Sequence, residues 1–86
     1  MHVKIWSRDN CPFCASAQLV CERLDKSTDF SYEVVKLEID YEVEDFTSRF
    51  PYATTVPQIV VDGEHVGGWE QFRKITNNIE GNTGSP

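Results

Sequence analysis

The sequence predicts an α/β fold in the order βαβαββα: one four-stranded mixed sheet covered by three helices. Three observations carry that prediction. A chain of 86 residues is enough for a single core and too short for a second one. Its first forty residues read as strand, helix, strand, a unit whose two strands run parallel with a right-handed crossover. Asp62-Gly63 then separates two short strand-prone runs, and that dipeptide marks a tight hairpin and an antiparallel pair.

Taken in order, Val3 and Ile5 alternate with His2, Lys4 and Trp6, the period of two of a first strand. The polar run Arg8-Asp9-Asn10 turns the chain. Pro12 suits the first turn of a helix, where a missing N–H costs nothing. Phe13, Ala17, Val20, Cys21 and Leu24 share one face of a helix read from Pro12 to Lys26, which Ser27-Thr28-Asp29 breaks. A second strand is read from Tyr32 to Ile39, rich in strand formers. Asp40 is positioned to cap a second helix with Val43, Phe46 and Phe50 as its apolar stripe, and Pro51 ends it.

Pro57 to Val61 forms a third strand, and Glu64 to Gly67 a short fourth. From Gly68 a last helix carries Trp69, Phe72, Ile75 and Ile79 at helical spacing. Glu80 to Pro86 is rich in Gly, Asn and Ser, so the folded domain is placed at residues 1–80 and a flexible tail at 81–86.

Composition narrows the function classes. Eight basic against fourteen acidic residues leave a net charge of −6, whereas a generic nucleic-acid binder is basic. Five of those acids, Glu38, Asp40, Glu42, Glu44 and Asp45, stand together without a base. Acids at that place favour a helix N-terminus. No run approaches the ~20 apolar residues of a membrane span. Met1 to Asn10 lacks the apolar core of a secretory signal, so a cytoplasmic protein is expected. Three cysteines do not pair into a secreted disulfide scaffold. With His2 and His65 outside ligand spacing, no four-ligand zinc site forms and no metal is expected.

The chemistry is concentrated in Cys11-Pro12-Phe13-Cys14. A C-x-x-C after a strand and opening a helix reads as a dithiol redox site. Residues three apart on a helix lie ~5–6 Å from one another, inside the ~4.4–6.8 Å Cα window of a disulfide. Free N–H groups and the helix dipole stabilise a thiolate there, lowering such cysteines from a pKa of ~8.5 to ~3.5–7.5. Cys11, at the helix edge, is read as the nucleophile, and Cys14, one turn in, as the resolving thiol. Arg8 adds a positive charge three residues upstream. Ala15 after the second cysteine excludes the haem-attachment motif. Cys21 lies seven residues beyond Cys14, ~10 Å along a helix at ~1.5 Å per residue, and reads as a small core side chain.

Two further segments complete the pattern. Thr55-Val56-Pro57 places a proline at the start of a strand, where it is tolerated. A cis bond before Pro57 would turn the Val56 backbone towards an extended peptide, although trans is the default for the residues alone. Gly67-Gly68 permits close approach of another backbone, and the helix N-terminus after it suits a carboxylate. Glu70 is placed to meet an ammonium.

The ordered set Cys11-Pro12-Phe13-Cys14, Thr55-Val56-Pro57-Gln58-Ile59, Asp62-Gly63 and Gly67-Gly68 resembles the glutaredoxin family over nearly the whole chain. The resemblance implies the thioredoxin fold, a cis Pro57, and glutathione as co-substrate in a groove beside Cys11. It implies that Cys11 attacks glutathione mixed disulfides and that Cys14 resolves protein disulfides. The Val56 backbone, flanked by Thr55, would pair with the glutathione cysteine. Gly68, Trp69 and Glu70 would hold the γ-glutamyl end, and Arg8 and Arg49 are candidates for the glycine carboxylate. Phe13 stands where the family often has Tyr, so a hydroxyl is lost beside the site. A monomer acting on disulfide-containing proteins, in electron transport and cell redox homeostasis, is the expected form. Two other readings compete with this one. One is a glutathione-independent redoxin that donates electrons to ribonucleotide reductase; such redoxins usually lack the Gly-Gly and acidic pair found here. The other is a dimer bridging an iron–sulfur cluster, against which Pro12 and the second thiol argue.

Overall fold

The structure, a computed structural model, describes residues 1–26 and 29–84. The elements follow the order β1 (His2–Ser7), α1 (Pro12–Leu24), β2 (Ser31–Lys36), α2 (Val43–Arg49), β3 (Gln58–Val61), β4 (Glu64–Gly67) and α3 (Trp69–Gly84). The sheet runs β2-β1-β3-β4. β1 and β2 are parallel, while β3 is antiparallel to both β1 and β4. This is the four-stranded mixed sheet with three helices expected from the pattern, and it is the thioredoxin fold.

Alternation along β1 builds the two sides of the sheet. Val3 and Ile5 point to one face and meet Ala17, Val20 and Cys21 of α1, Ile59 of β3 and Phe72 of α3. Trp6 points to the other face and meets Tyr41 and Phe50 around α2. Edge-on aromatic contacts fix this second cluster: Trp6 lies 4.8 Å from Tyr41 and 5.6 Å from Phe50 between ring centroids. Such edge-to-face pairs add to the burial of the rings themselves.

Several boundaries differ from the sequence reading. α1 ends at Leu24, with the Asp25 N–H donating to the Cys21 carbonyl at 2.8 Å. Of the break read at Ser27-Thr28-Asp29, Ser27 and Thr28 lie outside the described residues, and Asp29 lies in a turn. β2 stops at Lys36 rather than Ile39. The chain turns there, Glu38 taking a positive φ of 68°, and Ile39 is 71% exposed. A run of strand formers cannot stay in a sheet once its neighbour β1 has ended at Ser7.

Asp40 does not cap α2. Its carboxylate accepts the Lys36 N–H at 2.9 Å and so closes the turn. Glu42 is the N-cap residue, and its N–H donates to Asp45 at 3.3 Å. Val43, read as part of the apolar stripe, is 52% exposed, and Tyr41 takes the buried place instead. β3 begins at Gln58, one residue after Pro57. In the hairpin Asp62 and Gly63 adopt φ of 50° and 82°, the left-handed pair that such a turn requires. α3 extends to Gly84, beyond the Ile79 to which the apolar spacing led.

Candidate active site

Topology gathers the functional segments at one end of the sheet. β1 and β2 run parallel, so Ser7 and its register partner Lys36 finish side by side. β3 runs the other way and therefore starts there, with Gln58 opposite Trp6. β4 returns to the same end, with Gly67 opposite Ile59. The loops after β1 and β4 and the loop before β3 thus converge. They carry Cys11, Gly68 and Val56-Pro57 respectively.

Cys11 is the N-cap residue of α1, in extended backbone, with Pro12 in the first turn. Asn10 before it takes a φ of 57°, a conformation that Asn tolerates better than most residues. Cys11 and Cys14 are joined in a disulfide, their Cα atoms 5.2 Å apart. The Cys14 N–H points at the Cys11 sulfur at 3.2 Å. A backbone donor aimed at that sulfur is the kind of contact that favours a thiolate at a helix start. Cys14 is buried beneath it and 6% exposed, while Cys11 is half-buried. Cys11 is thus the more accessible of the two sulfurs.

The Val56–Pro57 peptide is cis, as the resemblance implied. The Val56 carbonyl oxygen lies 3.7 Å from the Cys11 sulfur, so a peptide joined to Cys11 would run alongside Val56. Gly68 packs against this loop, because a Cβ there would stand 3.4 Å from the Pro57 carbonyl. The close approach that Gly67-Gly68 offered is therefore made with the proline loop.

The other predicted residues divide between depressions. Arg8 borders a depression of about 550 Å³ around Cys11 and Cys14, together with Lys36. Arg8 also acts on Tyr41: burial pushes that hydroxyl above its ordinary range, and the Arg8 charge offsets part of the shift. Arg49 lies elsewhere. It borders a groove of about 440 Å³ with Thr55, Gly67 and Gly68, and its guanidinium stands 5.2 Å from the centre of the Trp6 ring. Arg8 borders the depression at the dithiol, and Arg49 borders the groove that reaches Gly67 and Gly68. Phe13 is 57% exposed beside the dithiol. Trp69 packs partly onto the core. The Glu70 carboxylate is engaged by Arg73 at 2.8 Å.

Three residues were missed by the sequence reading. Lys36 faces the dithiol and pairs with Asp9 at 3.5 Å; the parallel register of β1 and β2 was the signal. Gln71 accepts the N–H of Gly68, the residue before α3, at 3.0 Å. Its signal was the three-residue spacing of a capping pair. Gln58 is buried and bridges two segments: its amide donates to the Thr55 carbonyl at 2.9 Å and its oxygen meets His65 at 2.7 Å. Nothing local in sequence marks that bridge.

Comparison with known proteins decides what this arrangement belongs to. The family model described as glutaredoxin matches residues 3–66. The chain belongs to the glutaredoxin family. It is 35% identical over 75 residues to glutaredoxin 1 of Escherichia coli strain K12, covering 84% of this chain and 88% of the relative. It is 37% identical over 79 residues to glutaredoxin 1 of Salmonella typhimurium, covering 84% and 86%. The solved structure of reduced Escherichia coli glutaredoxin superposes with a TM-score of 0.78 at 32% identity, over 93% of this chain and 99% of the other. Glutaredoxins are thiol-disulfide oxidoreductases that use glutathione as a substrate. This member carries their dithiol active site as Cys11 and Cys14.

Proposed function

We propose that the protein reduces protein disulfides and glutathione mixed disulfides, drawing its electrons from glutathione in the cytoplasm. The observation that carries this reading is the Val56 carbonyl set 3.7 Å from the Cys11 sulfur, on a loop that continues into the groove bordered by Gly67 and Gly68. A thiol peptide bonded to Cys11 has backbone partners along that path and a helix N-terminus at its end.

The mechanism follows from access and geometry. The Cys11 thiolate, held by the Cys14 N–H, attacks one sulfur of the substrate disulfide, and the other sulfur leaves as a thiolate. With a protein substrate, Cys14 then attacks the mixed disulfide, closing the Cys11–Cys14 bond and releasing the second substrate thiol. With a glutathione mixed disulfide, a second glutathione thiolate attacks the glutathione on Cys11 and leaves as glutathione disulfide. The γ-glutamyl carboxylate would sit at the first N–H groups of α3, and the glycine carboxylate at Arg8.

The test is a comparison of electron sources. Turnover on a disulfide peptide should be sustained by glutathione with glutathione reductase and should stop with thioredoxin reductase alone. Sustained turnover with thioredoxin reductase alone would establish the redoxin reading, with ribonucleotide reductase as the partner to assay.

A further inference from the structure

Beside the dithiol lies a second depression of about 240 Å³. Leu37, Tyr41, Val43, Phe46 and Val56 line it, with Arg8 at the end it shares with the Cys11 depression. Its lining residues are interleaved with acids. Glu38 follows Leu37, and Glu42 and Glu44 flank Val43; all three acids are exposed. Among the described residues none of the three makes an ion pair. The groove therefore combines apolar and threonine side chains with exposed acids that adjoin its lining residues in the chain, and the carbonyl of Val56, one of its walls, lies 3.7 Å from the Cys11 sulfur.

We propose that this groove docks one flank of a disulfide-bearing protein substrate, an extended segment with an apolar side chain and Lys or Arg residues beyond its disulfide cysteine. The proposal names the substrate class of the oxidoreductase reading above and rests on it. Polarity follows from the charges. Arg8 stands at the cysteine end, so the partner's bases lie further along, opposite Glu38, Glu42 and Glu44. Apolar contact supplies affinity, and the neighbouring exposed acids supply steering and selection among partners. The exchange balances as before: one substrate disulfide becomes two thiols, and the Cys11–Cys14 dithiol becomes a disulfide.

The test uses the full chain, pre-reduced, in a single turnover that needs no electron donor. Two synthetic peptides carry the same intramolecular disulfide with Leu beside it; one has Lys and the other Glu at two positions beyond. The Lys peptide should oxidise the protein about tenfold faster at low salt, as steering predicts. The ratio should shrink in ~1 M salt, where the Debye length is ~3 Å. It should fall to about twofold in Glu38→Gln/Glu44→Gln, roughly what removing part of a screened surface field does. Glu22→Gln/Asp25→Asn changes net charge equally on α1 and should keep the full ratio. Equal rates for the two peptides overturn the proposal, as does a ratio that survives Glu38→Gln/Glu44→Gln. Because glutathione is absent, a failure of the glutathione reading leaves this result intact, and the two failures are distinguishable.

Discussion

Cys11 and Cys14 are three residues apart in one helical turn, yet solvent meets them differently. Cys11 is half-buried at the cap, while Cys14 is almost fully enclosed. Cys11→Ser should therefore abolish reduction of a glutathionylated peptide, followed by release of glutathione. Cys14→Ser should retain most of that activity and lose reduction of an intramolecular peptide disulfide. Equal losses in the two variants would remove the division of roles. Cys21 shows the opposite environment. Fully buried among Val3, Ile5 and Ala17, its thiol is pushed up to about 12, by desolvation first and by nearby Asp25 second. The raised value belongs to the folded state. Folding thus favours the neutral thiol, and that contribution is complete below the ordinary pKa of 9.0 and lost as pH rises from there towards 12. Thermal melts of the native protein and of Cys21→Ala should converge over that window. A constant gap between them would place the thiol in a more open site.

Among the elements, the loop before β3 depends on partners from elsewhere in the fold. Gln58 ties the Thr55 carbonyl to His65 on β4. Gln58→Ala leaves the Thr55 carbonyl without that donor and should cost about 1–3 kcal/mol if the site stays dry. Because Thr55 adjoins Val56, it should also raise the Michaelis constant for glutathione more than it lowers turnover, a split that steady-state kinetics reads directly. A helix cap behaves more simply. Asp45→Ala removes the acceptor of the Glu42 N–H and should cost about 1 kcal/mol, measured by urea unfolding, with the active site untouched. Gly67 has a φ of 121°, and a Cβ on it would stand 3.0 Å from Gln71. Gly67→Ala therefore combines backbone strain with displacement of the side chain that accepts the Gly68 N–H.

At the scale of the whole molecule, the sheet separates two cores with different tasks. One side, centred on Phe72, Ile5 and Ile59, holds α1 and α3. Phe72 is fully buried, and Phe72→Ala should cost about 3–5 kcal/mol. A chain this size has a total stability on the order of 4–13 kcal/mol at ~0.05–0.15 kcal/mol per residue. Chemical denaturation should show the variant partly unfolded at body temperature or rescued by stabilising salts; an unchanged midpoint would mean that the core closes over the gap. The other side, built on Trp6, Tyr41 and Phe50, supports the β2–α2 segment through the Tyr41 hydroxyl, which donates to the Ser7 carbonyl at 2.6 Å. That bond links the acidic segment to the strand leading into Cys11.

The order of elements, the parallel and antiparallel pairings and the dithiol were legible in the chain because they rest on local rules: periodicity, Pro at a helix start, a hairpin dipeptide and a C-x-x-C spacing. Cys21 was legible for the same reason, as one more position on an apolar helical face. The stop of β2 at Lys36, the exposure of Ile39 and Val43, and the cap at Glu42 were not, because each depends on where a neighbouring strand ends. The Gln58 bridge also needed the fold. Side chains distant in sequence meet or miss according to strand register and the side of the sheet on which a helix lands, and neither is encoded in any single segment. The sequence by itself thus determined what chemistry this protein carries. Only the tertiary structure decided which charges surround it, because charge acts through space and the sheet alone brings those loops to one end.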